Sequence, residues 1–398
     1  MVDVILPAAT WRTRPGLARL TEALDAAGGH ARYVGGAVRD TLLGLDVADI
    51  DLATPLHPEA VVTRLAAAGI RTIPTGIAHG TVTAVSEGTV VEVTTLRRDV
   101  ATDGRHAIVA FADDWREDAA RRDFTINALY ADPASGAIYD YFGGLDDLAV
   151  RRVRFIGDPH RRIAEDHLRI LRFFRFHARF GATIDAAGLA ACVDRANDLM
   201  ALSRERVAAE LLKLLVAPGA VAAVRLMHDS GIFRPVLPEI DHDGVARLAA
   251  LAERERAADV APDAIRRLAA LLPRDAAEGV GARLKLSNAD RKRLVQAGAG
   301  AGDEGARALA YRVGATIALD RLLLAGADAA ALRGWSSPAL PIGGGALVAR
   351  GLTRGPEVAR VLRRVEDRWI AEGFPDAARA EAIADEEVAQ ALRATRNA

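Results

Sequence analysis

The sequence predicts an α+β chain: a mixed β-sheet with its helices first, then helices alone. Three observations predict it. Before residue 150, short β-branched runs alternate with Gly and Asp. Beyond it, segments rich in Ala, Leu and Arg recur at helical period, punctuated by Gly and Pro. Aromatic residues are only 5% against 51% hydrophobic, so much of the apolar content is small and aliphatic.

Strands are expected at Ala31–Val34, Ile50–Leu52, Thr81–Val85, Thr89–Thr94 and Ile138–Phe142. Leu17–Ala27 and Pro58–Ala68 read as helices between them, and Val38–Leu43 as a short helix after a Gly pair. The helical remainder is broken at Pro218-Gly219, Gly231, Pro235, Pro238, Pro262, Gly279, Gly302, Pro338 and Gly343–Gly345. Boundaries are placed at 149, 218 and 305, giving segments 1–149, 150–218, 219–305 and 306–398.

In 398 residues, 52 Lys and Arg face 53 Asp and Glu, a formal net charge of −1. The balance carries none of the global basic excess that usually marks a nucleic-acid partner. Cys192 is the sole thiol, which excludes an internal disulfide framework and reads as a small buried apolar residue. The opening stretch has no signal-peptide profile, and no run approaches the roughly 18 apolar residues of a membrane span. A soluble, cytoplasmic chain is expected. Only Lys213, Lys285 and Lys292 are lysines, a bias that genome composition explains and that guanidinium recognition of phosphates also fits.

Local patterns say more. Gly35-Gly36 follows one predicted strand and opens a helix carrying Arg39, a place where backbone can approach phosphate. Asp49 and Asp51 flank Ile50 in a strand and therefore share a face. Two adjacent carboxylates repel unless a cation lies between them, and Mg²⁺ suits oxygen ligands with positions left for phosphate. Glu92, a charge inside Val90–Thr94, is either a third carboxylate of that site or an outward residue on an edge strand.

A second group is Arg121-Arg122-Asp123-Phe124-Thr125-Ile126-Asn127. Its Arg pair can neutralise a triphosphate, while Asp123 and Asn127 can hold a ribose or orient the Arg. From Arg151 to Arg179 there are nine Arg and three acids, the basic patch that net charge hides. Within it, Asp166 and Arg169 stand at i and i+3, which on a helix means one face and a possible ion pair. The same pair can read a base edge: a carboxylate accepts from the amino group of C or A, and a guanidinium donates to the ring acceptor. Guanine and uracil mismatch both groups. His160, His167 and His177 read as packing or phosphate contacts, and His228-Asp229 as a helix end.

These stretches, GGAVRD at 35–40, DID at 49–51, GIAHGTVT at 76–83, VEVTTLRRD at 91–99, RRDFTINAL at 121–129, EDHLRILRFFRF at 165–176 and SRERVAAELLKLL at 203–215, resemble the class II (bacterial-type) tRNA nucleotidyltransferases, the CCA-adding enzymes, with bacterial poly(A) polymerases as close relatives. The resemblance spans about 180 residues. It thins toward Pro341–Leu347, where Gly345-Ala346-Leu347 stands in place of the family's Gly-x-Asp-Leu element.

The resemblance implies a nucleotidyltransferase-fold head followed by an all-α neck, body and tail. It implies that Asp49 and Asp51 bind two Mg²⁺ ions with Glu92 as third carboxylate. Gly35, Gly36 and Arg39 would hold the triphosphate, and Arg122, Asp123 and Asn127 the phosphate and ribose. Asp166 and Arg169, with Arg172 beside them, would form the base template, braced by Glu205 and Arg206. Arg175 and Arg179 would contact RNA, and 97–115, with Asp103-Gly104-Arg105, would be the flexible loop of the switch from C to A addition. The implied reaction adds CMP, CMP and AMP to the 3′ end of tRNA, from CTP and ATP. The tRNA would be recognised by shape and backbone, chiefly through its acceptor–TΨC arm. The alternatives are poly(A) polymerase, an enzyme adding only A, or an inactive RNA-binding protein. The acidic stretch Asp385-Glu386-Glu387 near the end disfavours the first.

If Asp166 reads the amino group, Asp166→Ala loses discrimination against UTP and GTP by at least tenfold while tRNA binding persists. Nucleotide competition in primer extension measures this, and unchanged discrimination refutes the template role.

Overall fold

The structure, a computed structural model, describes residues 4–77, 80–102, 107–353 and 355–396. It comprises two compact units, Met1–Pro238 and Glu239–Ala398.

The first unit opens with α1 (Leu17–Ala23), β1 (Arg32–Val34), α2 (Gly36–Leu42), β2 (Ile50–Thr54), α3 (Pro58–Ala67), β3 (Arg71–Gly76), β4 (Thr81–Ser86) and β5 (Thr89–Thr95). A hairpin, β6 (Arg97–Thr102) and β7 (Ala107–Phe111), leads through α4 (Trp115–Ala120) to β8 (Leu129–Ala131), β9 (Ile138–Asp140) and α5 (Gly144–Ala149). Seven strands form one sheet in the order β3-β4-β5-β2-β1-β8-β9; β6 and β7 pair only with each other. Within the seven, β2 and β5 run parallel and all other neighbours antiparallel. The mixed sheet is as expected. Four strands escaped the sequence reading: β3 contains Pro74, β6 is charged and β8 has three residues, while β7, as long as β2, has no such local reason.

Helices complete the unit: α6 (Pro159–Glu165), α7 (Arg169–Phe180), α8 (Ala186–Asp194), α9 (Arg204–Leu215) and α10 (Ala220–Asp229). Asp158 caps α6, accepting from Arg161 N at 2.7 Å, and Ser203 caps α9. One face of α7 is apolar, with Ile170, Phe173, Phe174 and Phe176 buried, while its Arg residues line the other. One expectation fails here. Asp166 and Arg169 do not share a helix, because the chain at Asp166 is extended (φ −152°) and α7 begins at Arg169.

Six of the ten Phe residues, at 124, 155, 173, 174, 176 and 180, are buried together, four of them on α7 and two from the preceding chain. Phe155 stacks on Phe173 with ring centroids 5.5 Å apart, and Phe124 lies against Phe155 and Phe176 at 4.9 and 5.4 Å. In a chain poor in aromatics, that cluster fastens the Arg121–Asn127 segment to the helices.

The second unit is helical throughout its described residues: α11 (His242–Ala257), α12 (Ala264–Leu271), α13 (Ala277–Arg283), α14 (Asn288–Ala297), α15 (Ala306–Val313), α16 (Ala315–Ala325), α17 (Gly344–Ala349), α18 (Pro356–Ala371) and α19 (Ala377–Arg396). Trp369, Val361, Val365 and Ile383 form one apolar core. Elsewhere Arg266, Arg267, Glu255 and Asp320 are buried as mutual ion pairs.

Phe173→Ala removes the centre of the aromatic cluster. It is expected to cost about 3–5 kcal/mol by urea denaturation; a loss under ~1 kcal/mol would show that the cluster does not hold the two layers together.

Candidate functional site

A cleft of about 640 Å³ opens on the sheet at the start of β2. Arg14, Asp49, Asp51 and Glu92 line it. Parallel pairing of β2 with β5 sets Asp51 directly abreast of Glu92. Glu92 is exposed because β5 alternates strictly, with Val91 and Val93 turned into the core. It lies on an interior strand rather than an edge, so its exposed face belongs to the cleft. Asp49 precedes β2 and is also exposed. Arg14, which the sequence reading did not single out, donates to Val47 O at 2.7 Å and Ala48 O at 3.1 Å, pinning the turn before Asp49.

Burial, together with the facing Glu92 and then Asp49, pushes Asp51 up to about 6, against the pull of Arg122. Like charges crowded in this way are what a cation relieves. The donor set is all oxygen, without His or Cys. Among the described residues no three acidic, His or Cys side chains close into a ready-made metal cluster. Two carboxylates with coordination positions left for phosphate and water suit Mg²⁺, and the residues present fit that ion.

Arg122 connects the acids to the Gly-Gly turn. Gly35 has φ +66°, a conformation that favours glycine, and a Cβ there would lie 3.6 Å from Arg122 Nη1. The other nitrogens of Arg122 donate to Tyr130 Oη at 3.1 Å and Asp118 Oδ2 at 3.0 Å. Asp118 is a buried hub that the sequence reading missed. It also accepts from Arg121 Nε at 2.8 Å, Tyr130 Oη at 2.6 Å and Arg97 N at 3.3 Å. Burial opposes its charge, but these cations hold it at about 2. Its spacing of three and four residues from the Arg pair was visible in the sequence.

Arg39 departs from expectation. It is 5% exposed, with Nε donating to Asp40 Oδ1 at 2.7 Å and Nη1 bonded to Asn127 Oδ1. Its guanidinium lies over Phe176 and Phe180. The fork is consumed inside the fold and offers no open face to a phosphate. Asp123 and Asn127 are buried as well. Of their two readings, orienting Arg is the one seen: Asp123 accepts from Arg172 Nε at 2.8 Å and from Asn127 Nδ2 at 3.0 Å.

Asp166 and Arg169 are close in the chain but paired elsewhere. Arg206 Nη2 bridges both Asp166 oxygens at 3.0 and 2.9 Å. Arg169 donates to Glu165 Oε2 and Arg162 O, both at 2.7 Å, and to Arg121 O at 3.2 Å. The expected intrahelical pair is absent because the helix breaks between them. Arg162, buried and previously unremarked, donates to Arg122 O at 2.6 Å and also to Arg121 O. Glu210 of α9, buried, also braces this region through Arg175. Arg175 ion-pairs with Glu210 at 2.7 Å and is largely buried, so the expectation that it faces RNA is corrected. Arg179 is half-exposed and reaches Asp40 at 3.1 Å. Asp103-Gly104-Arg105 lie outside the described residues.

Comparison with known proteins adds the family. Residues 31–154 match a family described as the poly A polymerase head domain, and 181–243 one described as a probable RNA and SrmB-binding site of polymerase A. The chain is 36% identical over 379 residues to a Danio rerio CCA tRNA nucleotidyltransferase 1, mitochondrial, covering 89% of this chain and 86% of that one. Over 194 residues it is 45% identical to a Lacticaseibacillus paracasei CCA-adding enzyme, 48% of each. The Bacillus stearothermophilus CCA-adding enzyme in complex with CTP superposes with TM-score 0.72 at 26% identity, covering 97% of this chain and all of that one. A Thermotoga maritima CCA-adding enzyme complexed with tRNA shares the fold, with TM-score 0.70 at 19% identity over 94% and 95% of the two chains.

Asp123 yields a pH prediction. Burial alone would raise its carboxyl, yet Arg172, Asn127 and Phe124 N hold it down at about 2 against an ordinary 3.8. A depressed carboxylate contributes stability that is present above its unfolded value and lost as pH falls through the folded one. Asp123→Asn is expected to cost about 2 kcal/mol at pH 7, and the gap to the unsubstituted chain should close between pH 4 and pH 2. Urea denaturation across that range checks it; a gap independent of pH would mean that the ion pair contributes nothing.

Proposed function

The chain belongs to the CCA tRNA nucleotidyltransferase family, and on that premise we propose that it adds CMP, CMP and then AMP to the 3′ end of tRNA from CTP and ATP. Each addition forms a phosphodiester at the terminal 3′-oxygen and releases pyrophosphate, with no nucleic-acid template. The single observation that carries the reading is the register of Asp51 with Glu92, which, with Asp49, concentrates three carboxylates in one cleft beside Arg122. An RNA-binding protein without catalysis has no use for that repulsion. The relatives reported above bear CCA-adding names, which favours CCA addition over poly(A) synthesis.

Asp49 and Asp51 would hold the two Mg²⁺ ions, with Glu92 as the third carboxylate of the cleft. When bound there, Mg²⁺ lowers the pKa of the primer hydroxyl and screens the departing pyrophosphate. The rest belongs to the chain. Arg122, fixed by Asp118 and Tyr130, presents Nη1 beside the Gly35 turn, where the triphosphate lies. Arg39, Asn127, Asp123 and Arg172 hold the floor of the nucleotide site rigid.

Base choice falls to Asp166 and Arg169. Asp166 remains about a third exposed and has acceptor capacity beyond its Arg206 pairing, enough for an amino group. Arg169 exchanges the long contact to Arg121 O for the ring acceptor of C or A. Segments 1–149, 150–218, 219–305 and 306–398 serve as head, neck, body and tail, and tRNA is held by shape and backbone along its acceptor–TΨC arm. No helix among the described residues is long and apolar enough to cross a membrane.

The test is extension of a tRNA lacking its CCA end, with CTP and ATP offered singly and together. CTP alone should add two residues, and both nucleotides three. Asp49→Ala should reduce incorporation at least a thousandfold while leaving tRNA affinity within about threefold. Long A tracts, incorporation of ATP alone, or full activity of Asp49→Ala would overturn the reading.

A further inference from the structure

In the second unit, a cavity of about 410 Å³ is lined by Arg247, Arg254, Arg274 and Arg321, and by no Asp or Glu. This runs against the habit of that unit. There, Arg266 and Arg267 meet Glu255, Arg293 meets Asp263 and Asp320, and Arg350 meets Glu381 and Asp385. Among the described residues none of the four cavity Arg makes an ion pair; their hydrogen bonds go to backbone carbonyls at or just beyond helix C-termini.

The carbonyls come from three helices. Arg247 Nε donates to Ala270 O of α12 at 2.9 Å. Arg321 Nε donates to Gln296 O of α14 at 2.7 Å, and Arg274 Nη2 to Ala299 O just beyond α14 at 3.3 Å. Arg254 Nη1 donates to Leu323 O and Leu324 O of α16 at 3.0 and 2.9 Å. Capping helix ends accounts for these bonds, since cations favour helix C-termini. It does not account for the rest of each group. A guanidinium carries five N–H donors on three nitrogens, and each of the four commits one nitrogen. The capping bonds orient the planes; the Arg254 guanidinium also packs over Gly326, so the uncommitted nitrogens that can serve the cavity are chiefly those of Arg247, Arg274 and Arg321. Four like charges around one concavity repel, and no carboxylate in the lining offsets this.

We propose that this cavity binds a phosphate group. The tetrahedral oxyanion matches several guanidinium forks at once, and held forks lose little freedom on binding. Leu272, Pro273 and Leu324 form an apolar wall that lowers the local dielectric and strengthens the contact. Two sources offer the same chemistry: a free polyphosphate such as pyrophosphate, or a phosphodiester of an RNA backbone. The site is independent of the carboxylate cleft and of the proposed nucleotidyl transfer, since every lining residue lies between 247 and 325.

The experiment uses the full chain in EDTA and reads amide hydrogen exchange while pyrophosphate is titrated. Binding at the cavity protects the ends of α12, α14 and α16, and Arg247→Gln with Arg321→Gln weakens the response at least tenfold. In parallel, the affinity of the same variant for tRNA is measured against salt. A log–log slope shallower by about 1.4–1.8 identifies two RNA phosphates as occupants. Local protection by pyrophosphate with an unchanged tRNA slope identifies the free anion; either supports the site. The proposal is overturned if pyrophosphate gives no protection at these helix ends and the tRNA slope is unchanged. Arg274→Gln, at an exposed position with one long capping bond, repeats both measurements should the double variant melt early. CTP incorporation by the unsubstituted chain is scored separately, so nucleotidyl transfer can fail while this site stands, and the reverse.

Discussion

The first unit depends on one buried ion pair, Asp123 with Arg172. Asp123 follows directly on Arg122, and Arg172 sits on α7. Their contact therefore sets how the Arg122 segment stands relative to the helical layer. It continues outward as a chain of committed donors: Asn127 to Asp123, Arg39 to Asn127 and Asp40, Arg179 to Asp40, and Arg172 and Arg175 toward Glu210. A network of this kind adds little net stability compared with apolar packing of equal volume, because each charge must first be stripped of water. It adds definition instead. Removing one member leaves a buried charge unmatched, so few alternative arrangements compete.

The network also explains how so many guanidiniums coexist. Nine Arg between residues 151 and 179 cannot crowd together without partners. Arg152 and Arg154 are matched by Asp147, Arg162 and Arg169 by Glu165, Arg172 by Asp123, and Arg175 by Glu210. Asp147 and Glu165 are near neighbours of their Arg in sequence, whereas Asp123 and Glu210 come from distant stretches of chain. What reads as an RNA-facing stripe is in part internal scaffolding, with Arg151, Arg161 and Arg179 left exposed. The acidic cleft has the opposite character. Asp49, Asp51 and Glu92 line one cleft, and Asp51, buried and facing like charge, gives up part of its acidity. The fold leaves charge unmatched there and satisfies it elsewhere.

The second unit repeats the contrast. Its buried Arg are paired with acids, while the four around the cavity beneath the ends of α12, α14 and α16 are paired with carbonyls alone. Carbonyl capping orients a guanidinium without neutralising it. Both units thus hold charge in two ways, matched in the interior and unmatched at one concavity each.

The sequence by itself determined the fold class, the β-to-α change near residue 150 and the acidic cleft. Each rests on short-range regularities. Alternation places Val91, Glu92 and Val93 on opposite faces, and two-residue spacing puts Asp49 and Asp51 together. Tertiary structure alone decided which Arg is free. Arg39, Arg122 and Arg175 look alike in sequence; one is enclosed by Asp40 and Asn127, one is held open beside Gly35, and one is paired with Glu210. It also decided that Asp166 answers to Arg206 and not to Arg169, since a helix break cancels the i, i+3 geometry. The physical reason is range. Backbone periodicity is written within a few residues, whereas the partner of a charge is whatever acid or carbonyl folding brings from tens of residues away.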